Sequence, residues 1–500
     1  GSIFTRHPHT GFRIGFLGVY CERARCGRRG LEGCPALPRP CLSLRGNPLW
    51  LPPDRRQQPT SFSAWGRRRD LPPHYGRLLE AHGMPELERP PALPAEADLV
   101  VVGGGIHGAM VHLRASRAGL RSVLVEMGDF GQGASWNTSR VLHGGIRYLQ
   151  RGDLPRVRRS VLSRRWFLGT FPEFTSVLHC LMPLHGVGLR RPPVLGMALK
   201  AHDLLSRDRN QGLPDSHRSP ASRLLSRVET DRETSGMVAG NPMGGALWFD
   251  GLVSNPSRVL MGILNWAQDL GGQAFNYLQA REIRTRGGEV TRVAVEDAFT
   301  REEREITTSR VVDCTGAFSS PDLPDSGGGA ATPRLNFSFN LLLTRSLPSS
   351  SALAVSVAGG RGQLLFLVPV GDLTIAGTVH EPVEGEAPTG PSAEARDRML
   401  EDLNGALPGW DVTGEHVLQS LSGLIPEKAE SDRIVDHRRA GLPRGLLEVR
   451  SAKYTTAPTT SLRVLDRLLK GKGKGLEGSP RPPVARAVTP DRKSTRLNSS

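Results

Sequence analysis

The sequence predicts an α/β fold: a doubly wound unit interleaved with a second unit built on a mixed β-sheet. Three observations predict it. A continuous apolar run, Leu99–Val102, enters the glycine-rich stretch 103–108 and then a helical pattern over 106–118. A second apolar strand, Ser122–Val125, follows that helix and ends in an acid, Glu126. Long strands are expected at 336–344, 364–369 and 373–377. The first unit is expected at 97–180, 250–330 and 445–469, the second at 181–249 and 331–444.

The 500-residue chain carries a net charge of +16, which alone invites a nucleic-acid or membrane partner. The charge sits at the ends. Residues 1–95 hold 15 Arg against 7 acids, a net of +8, and residues 470–500 add +6, leaving +2 for the whole of 96–469. No nucleic-acid partner is therefore expected. Residues 1–70 are rich in Arg and Pro and show no sustained period. Their cysteines, Cys21, Cys26, Cys34 and Cys41, are separated by four, seven and six residues, not in C-x2-C pairs, and no metal site is expected. Residues 1–95 are read as a disordered or foreign extension and 470–500 as a disordered tail. Cys180 and Cys314 imply no disulfide framework and fit a reducing compartment. No secretory signal pattern leads the chain, and no apolar run is long enough to cross a bilayer, so no membrane span is expected.

The stretch 103–108 reads G-x-G-x-x-G, with Ile106 and His107 opening the helix. Gly103 permits the tight turn. Gly105 lets a pyrophosphate approach the helix N-terminus, where free N–H groups and the dipole favour an anion. Gly108 lets the helix pack on the strand. Glu126 follows at the end of the next strand, placed to accept ribose hydroxyls. An acid there argues against a 2′-phosphate, so the dinucleotide is FAD or NAD. The unit is thus Rossmann-like.

The next segment, "GDFGQGASWNTSRVLHGGIRYLQRGD", resembles the FAD-dependent glycerol-3-phosphate dehydrogenases, whose strand-end acid and Ser/Thr-rich loop precede His-Gly-Gly-Leu-Arg-Tyr-Leu. The stretches "DGLVSNPSRVLMGILNWAQDLGGQAF", "SRVVDCTGAF", "LLFLVPVGDLTIAGT" and "RSAKYTTAPTTSLRVL" extend the resemblance over most of 97–469. It places the chain in the D-amino-acid oxidase-like flavoprotein superfamily, with an FAD-binding Rossmann-like domain and a mixed-sheet substrate domain. It implies FAD held without a covalent link. Ser135, Thr138, Ser139 and Arg140 would serve the phosphates and ribityl chain. Gly144 and Gly145 would pass beneath the isoalloxazine ring. Ala280 would hold adenine through its backbone, following a strand over 273–277. Thr315 and Gly316 would return to the pyrophosphate. Lys453 and Thr455, at a helix start, would steady the reduced ring.

The resemblance further implies an anionic hydroxy substrate, glycerol 3-phosphate or similar, oxidised by hydride transfer to flavin. His143, Arg147, Tyr148 and Lys453 would be catalytic, His143 taking the hydroxyl proton and Arg147 holding the anion. Electrons would pass to a quinone or another membrane carrier. The protein would be cytoplasmic, with peripheral contact at the inner membrane face, and a homodimer stays open. Three family positions differ. Leu424 replaces an arginine of Ser-Gly-x-Arg-Pro, "KYTTAP" lacks the arginine that follows Lys453, and His380 stands where Gly-Thr-Thr-Asp ends. The family's C-terminal helical domain has no expected counterpart after a helix at 461–469. An amine or amino-acid oxidase of the same superfamily and a non-catalytic FAD-binding remnant remain as alternatives.

Overall fold

The computed structural model describes residues 92–186, 191–317, 334–357, 364–385, 387–427, 432–436 and 443–469. The expectations for 1–91 and 470–500 lie outside the described residues. In chain order the elements begin β1 (Leu99–Val102), α1 (Ile106–Arg117), β2 (Ser122–Val125), β3 (Val141–Leu142), α2 (Ile146–Leu149), α3 (Leu154–Thr170) and β4 (Thr175–Leu184). They continue with α4 (Pro192–Leu205), β5 (Arg223–Ser226), α5 (Arg227–Glu233), β6 (Gly244–Val253), α6 (Pro256–Asp269), β7 (Gln273–Phe275), β8 (Leu278–Arg286), β9 (Glu289–Asp297), β10 (Glu303–Thr307) and β11 (Val311–Asp313). The last are β12 (Leu335–Leu343), β13 (Ala352–Ser356), β14 (Leu364–Val370), β15 (Leu373–Pro382), α7 (Ala393–Ala406), β16 (Val417–Pro426), β17 (Arg433–Asp436), β18 (Leu446–Arg450) and α8 (Ala457–Leu468).

Two large sheets organise these elements. The six-stranded sheet has the order β17-β18-β11-β1-β2-β7. β1 lies inside it, parallel to β2 and β11, which is why all four of its residues are buried and apolar. α1 covers one face. Its Ile106, Met110 and Leu113 pack with Ile263 and Leu264 of α6 and Val464 and Leu465 of α8. Asn255 caps α6 by accepting the Arg258 amide, and Pro256 fills a first-turn position where its missing N–H costs nothing. The other face of the sheet meets the three-stranded sheet β10-β9-β8 through Val100, Val123, Ile283 and Val293.

The nine-stranded sheet runs β16-β12-β15-β14-β13-β4-β6-β3, with β5 also on β6. α7 closes its core with Met399, Leu400 and Leu403 against Phe339, Leu341 and Trp410. β3 pairs with β6 immediately before His143, so the His-Gly-Gly segment hangs from the edge of this sheet.

Several expected boundaries move. Residues 97–180 are expected on the nucleotide side, yet β3 and β4 belong to the nine-stranded sheet. The cause is the antiparallel ladder from Thr175↔Val253 to Leu184↔Gly244 for β4 and the Val141↔Leu252 pairing for β3, which draw both strands to β6. β17 moves the other way, pairing with β18 in the six-stranded sheet. The strand expected over 273–277 stops at Phe275, because Tyr277 takes a left-handed φ of +57°. The helix expected from 461 begins at Ala457, with Pro458 in its first turn. The three strands expected after 335 are present, each within a few residues of its expected bounds except β15, which runs on to Pro382. No helix among the described residues is long and apolar enough to cross a membrane.

Candidate active site

A groove opens where β1, β2 and β11 end. Gly103 turns the chain there with φ +101°, and its hydrogen faces the Cys314 carbonyl oxygen, which a Cβ would meet at 2.7 Å. Gly108 is tighter, since a Cβ there would stand 1.9 Å from the Gly103 carbonyl oxygen. Gly105 is open by comparison, with only the Ser135 hydroxyl nearby, at 3.1 Å from a Cβ. That hydroxyl accepts the Ile106 amide at 2.9 Å, so Ser135 ties the 131–135 loop to the N-terminus of α1. Glu126 ends β2 and accepts the Gly104 and Gly128 amides at 2.6 and 2.9 Å. Burial pushes its carboxyl up, against the pull of those amides. Each oxygen keeps a lone pair for a hydroxyl donor. Ala280, Thr315 and Gly316 also line the groove, and so do Leu424, Ile425 and Pro426 of β16.

At the edge of β6 lies a histidine–carboxylate pair. His143, about half exposed, brings Nδ1 to 3.4 Å from Asp250 Oδ2. Asp250 is buried and also accepts the Gly144 amide at 2.6 Å and the Trp248 indole N–H at 3.3 Å. The Arg164 guanidinium, itself buried, lies 3.4 Å from Oδ1 and donates to the Phe249 carbonyl. Thr455 fixes the segment from the C-terminal side. Its hydroxyl accepts the His143 amide at 3.1 Å and donates to the Val141 carbonyl at 3.3 Å.

Residues 98–459 match the family described as FAD dependent oxidoreductase. The chain belongs to that family. A probable mitochondrial glycerol-3-phosphate dehydrogenase of Caenorhabditis elegans is 26% identical over 440 residues, 81% of this chain and 59% of that protein. The aerobic glycerol-3-phosphate dehydrogenase of Bacillus subtilis is 26% identical over 334 residues, 66% of this chain and 58% of that protein. The chain thus spans about three fifths of the length of these two relatives. Among solved structures, the FAD complex of a Bacillus halodurans glycerol-3-phosphate dehydrogenase superposes with a TM-score of 0.57 at 21% identity, covering 78% of this chain and 67% of that one. Glycine oxidase from Geobacillus kaustophilus gives 0.56 at 18%, covering 75% and 95%. At such identities the structures establish the shared fold.

The groove fits the cofactor of this FAD-dependent oxidoreductase. An open glycine at a helix N-terminus suits the pyrophosphate, and a strand-end acid with spare lone pairs suits the ribose. His107 lines the same groove and donates Nε2–H to the Lys453 carbonyl at 3.0 Å, joining the two ends of the family match. Thr138, Ser139 and Arg140 lie beyond the residues that line the groove. Thr138 accepts the Arg140 amide at 3.3 Å, and the Arg140 guanidinium donates to the Ser254 carbonyl at 3.1 Å, serving the fold there. The glycine pair also packs against protein. A Cβ on Gly144 would press on Arg164 and Asp250, and one on Gly145, whose φ is +87°, would press on Ser160.

Arg147 is exposed on α2 and close enough to His380 to depress it, after burial, which acts first. Tyr148 is buried instead, in a pocket with Val157 and Val161. Its hydroxyl receives Lys453 Nζ, and the Arg156 guanidinium covers its ring at 4.1 Å. Asp250 and Arg164 do not stand out in the sequence as site residues. The available signal was a charged residue inside the buried strand "GGALWFDGLV".

Proposed function

We propose that the protein is a dehydrogenase that oxidises the alcohol carbon of a small anionic hydroxy compound, glycerol 3-phosphate or a near relative, and passes the electrons to a quinone. The observation that carries this reading is the His143–Asp250 pair beside the FAD-binding unit, with the Arg147 cation following on α2. FAD, when bound, supplies the hydride acceptor. The chain's own residues do the rest. Arg147 binds the anionic end of the substrate through paired N–H donors, with His380 beside it. His143 takes the hydroxyl proton. Lys453 adds positive charge next to Tyr148. Leu424 and its neighbours on β16 shut water out of their part of the groove.

Leu424 also supports a second reading of the substrate. An apolar residue there serves a monoanionic hydroxy acid better than a phosphate dianion, which gains from a second guanidinium. Anaerobic stopped-flow with glycerol 3-phosphate, 2-hydroxy acids and amino acids decides among these. Flavin bleaching by a hydroxy compound, with reoxidation by a soluble quinone analogue, is expected. Bleaching by amino acids alone, with peroxide formed in air, would establish an oxidase instead.

Peripheral contact with an anionic membrane belongs to the same proposal. α4 buries Leu195, Leu199 and His202 and leaves Met197 66% and Leu204 69% exposed. Its outer face presents Met197 and Leu204 beside the Arg191 and Lys200 cations, an exposed apolar pair flanked by positive charge that suits an anionic surface.

A further inference from the structure

β6 is buried along nearly its whole length, yet one carboxylate stands within it, and Asp250 is only 3% exposed. A buried carboxylate without donors would be costly. Here four groups surround it. Oδ1 accepts the Gly144 amide at 2.6 Å and faces Arg164 Nη1 at 3.4 Å. Oδ2 faces the Trp248 indole N–H at 3.3 Å and His143 Nδ1 at 3.4 Å. Burial acts first and pushes this carboxyl up, but His143, Arg164 and the Gly144 amide together outweigh it and hold it at about 2. At neutral pH Asp250 is therefore an acceptor only.

A neutral imidazole has one N–H and one bare lone pair. The nitrogen that faces an acceptor-only group must carry the proton. We propose that Asp250 is a positioning residue that holds His143 as its Nδ1–H tautomer, leaving the Nε2 lone pair to receive the substrate's hydroxyl proton. This rests on the reading of His143 as the base. When the substrate O–H bond breaks and an Nε2–H bond forms, the imidazolium charge faces a carboxylate already in place. With FAD bound, the same carbon would give up its hydride to the flavin, so that the alcohol would become a carbonyl and the charges would balance. Phe366 packs edge-on to the ring with centroids 6.0 Å apart, limiting its swing. Arg164, 1% exposed, keeps Asp250 ionised from behind. His202 donates to the Gly144 carbonyl at 3.0 Å and holds the same loop. The other charged or titratable groups around this segment are Arg147, Tyr148 and Lys453, with Arg156, Asp153 and Asp432 acting on Tyr148, and His380 on β15. Among the described residues Asp250 is the carboxylate that His143 pairs with.

The test uses FAD-loaded protein. In 15N-histidine NMR at neutral pH, with His143 assigned by its loss in His143→Gln, the ring should show a protonated Nδ1 and a bare Nε2. Asp250→Asn keeps the shape but can donate its amide to Nδ1, so it should move the proton to Nε2. Flavin reduction by glycerol 3-phosphate should then fall about 10²–10⁴-fold, with the acid limb of the pH profile moved to lower pH. Asp250→Glu should recover part of the rate. A wild-type His143 protonated on Nε2 would overturn the proposal, as would Asp250→Asn with unchanged rate and pH profile. Should Asp250→Asn fail to fold, the wild-type spectrum still decides. Should no hydroxy compound reduce the flavin while the Nδ1–H tautomer is seen, the functional reading fails and the positioning role stands.

Discussion

Gly108→Ala tests how the groove holds its cofactor. A methyl there would stand 1.9 Å from the Gly103 carbonyl oxygen, and Cβ contacts stop near 3.0 Å, so α1 must slide outward by at least about 1.1 Å. Amide-to-phosphate bonds from its first turn, ordinarily about 2.9 Å, would stretch to about 4 Å and cease to bond. Losing two charge-assisted bonds at about 1.5–3 kcal/mol each removes about 3–6 kcal/mol. That weakens FAD binding by about 10²–10⁴-fold. Titration of apoprotein with FAD, followed by quenching of flavin fluorescence, gives the Kd directly. Gly119→Ala is the control. It sits at the other end of α1 with φ +78° and nothing within 4 Å, so it costs only backbone strain and should leave the Kd alone. A Gly108→Ala protein with wild-type FAD affinity would refute the assignment of the α1 N-terminus to the pyrophosphate.

Arg147→Ala should raise KM for the anionic substrate about 10–100-fold with FAD content unchanged; loss of FAD with unchanged KM would reverse that assignment. His112, fully buried in α1 against the Ser122 hydroxyl, is held by burial at about 3. It stays neutral in the fold while the unfolded chain takes up its proton, so its contribution is intact above about pH 6.5 and falls by about 1.4 kcal/mol per unit toward pH 3. Urea unfolding at pH 7, 6 and 5 should therefore show a shallower loss in His112→Asn than in the parent; equal slopes would remove His112 as the source. Met197→Ser with Leu204→Ser should weaken binding to phosphatidylserine vesicles without altering FAD content or thermal stability, and vesicle binding that survives both changes would place the membrane contact elsewhere.

The nucleotide half was legible because its signals are local. Strand, glycine turn, helix and acid all lie between Leu99 and Glu126, and β1 and β2 appear with the expected bounds. The sheet boundaries were not legible, because β3 and β4 take their register from β6, which comes well after both in the chain. The site divides the same way. His143 and Arg147 announce themselves beside two glycines. Asp250 is read as a partner of His143 only once the fold closes the long loop between them, and Arg164 is one of many arginines on α3 until its burial singles it out. Thr455 looked like a cofactor ligand in a Lys-x-Thr-Thr pattern, but its hydroxyl is engaged by the backbone at 141 and 143.

The packing of α1 against α8 sets a timetable for biosynthesis. α1 begins at Ile106, but the partner it waits for begins only at Ala457. At about 5–20 residues per second, that delay is about 20–70 s. Throughout it, Ile106, Met110 and Leu113 lack the cover of Val464 and Leu465, and β11 lacks β18. A nascent chain in that interval exposes an apolar helix face and an open sheet edge, a natural target for chaperones. FAD can meet a finished pocket only after translation of Lys453 and the helix beyond it, so chains interrupted before that point should lack flavin and be cleared first.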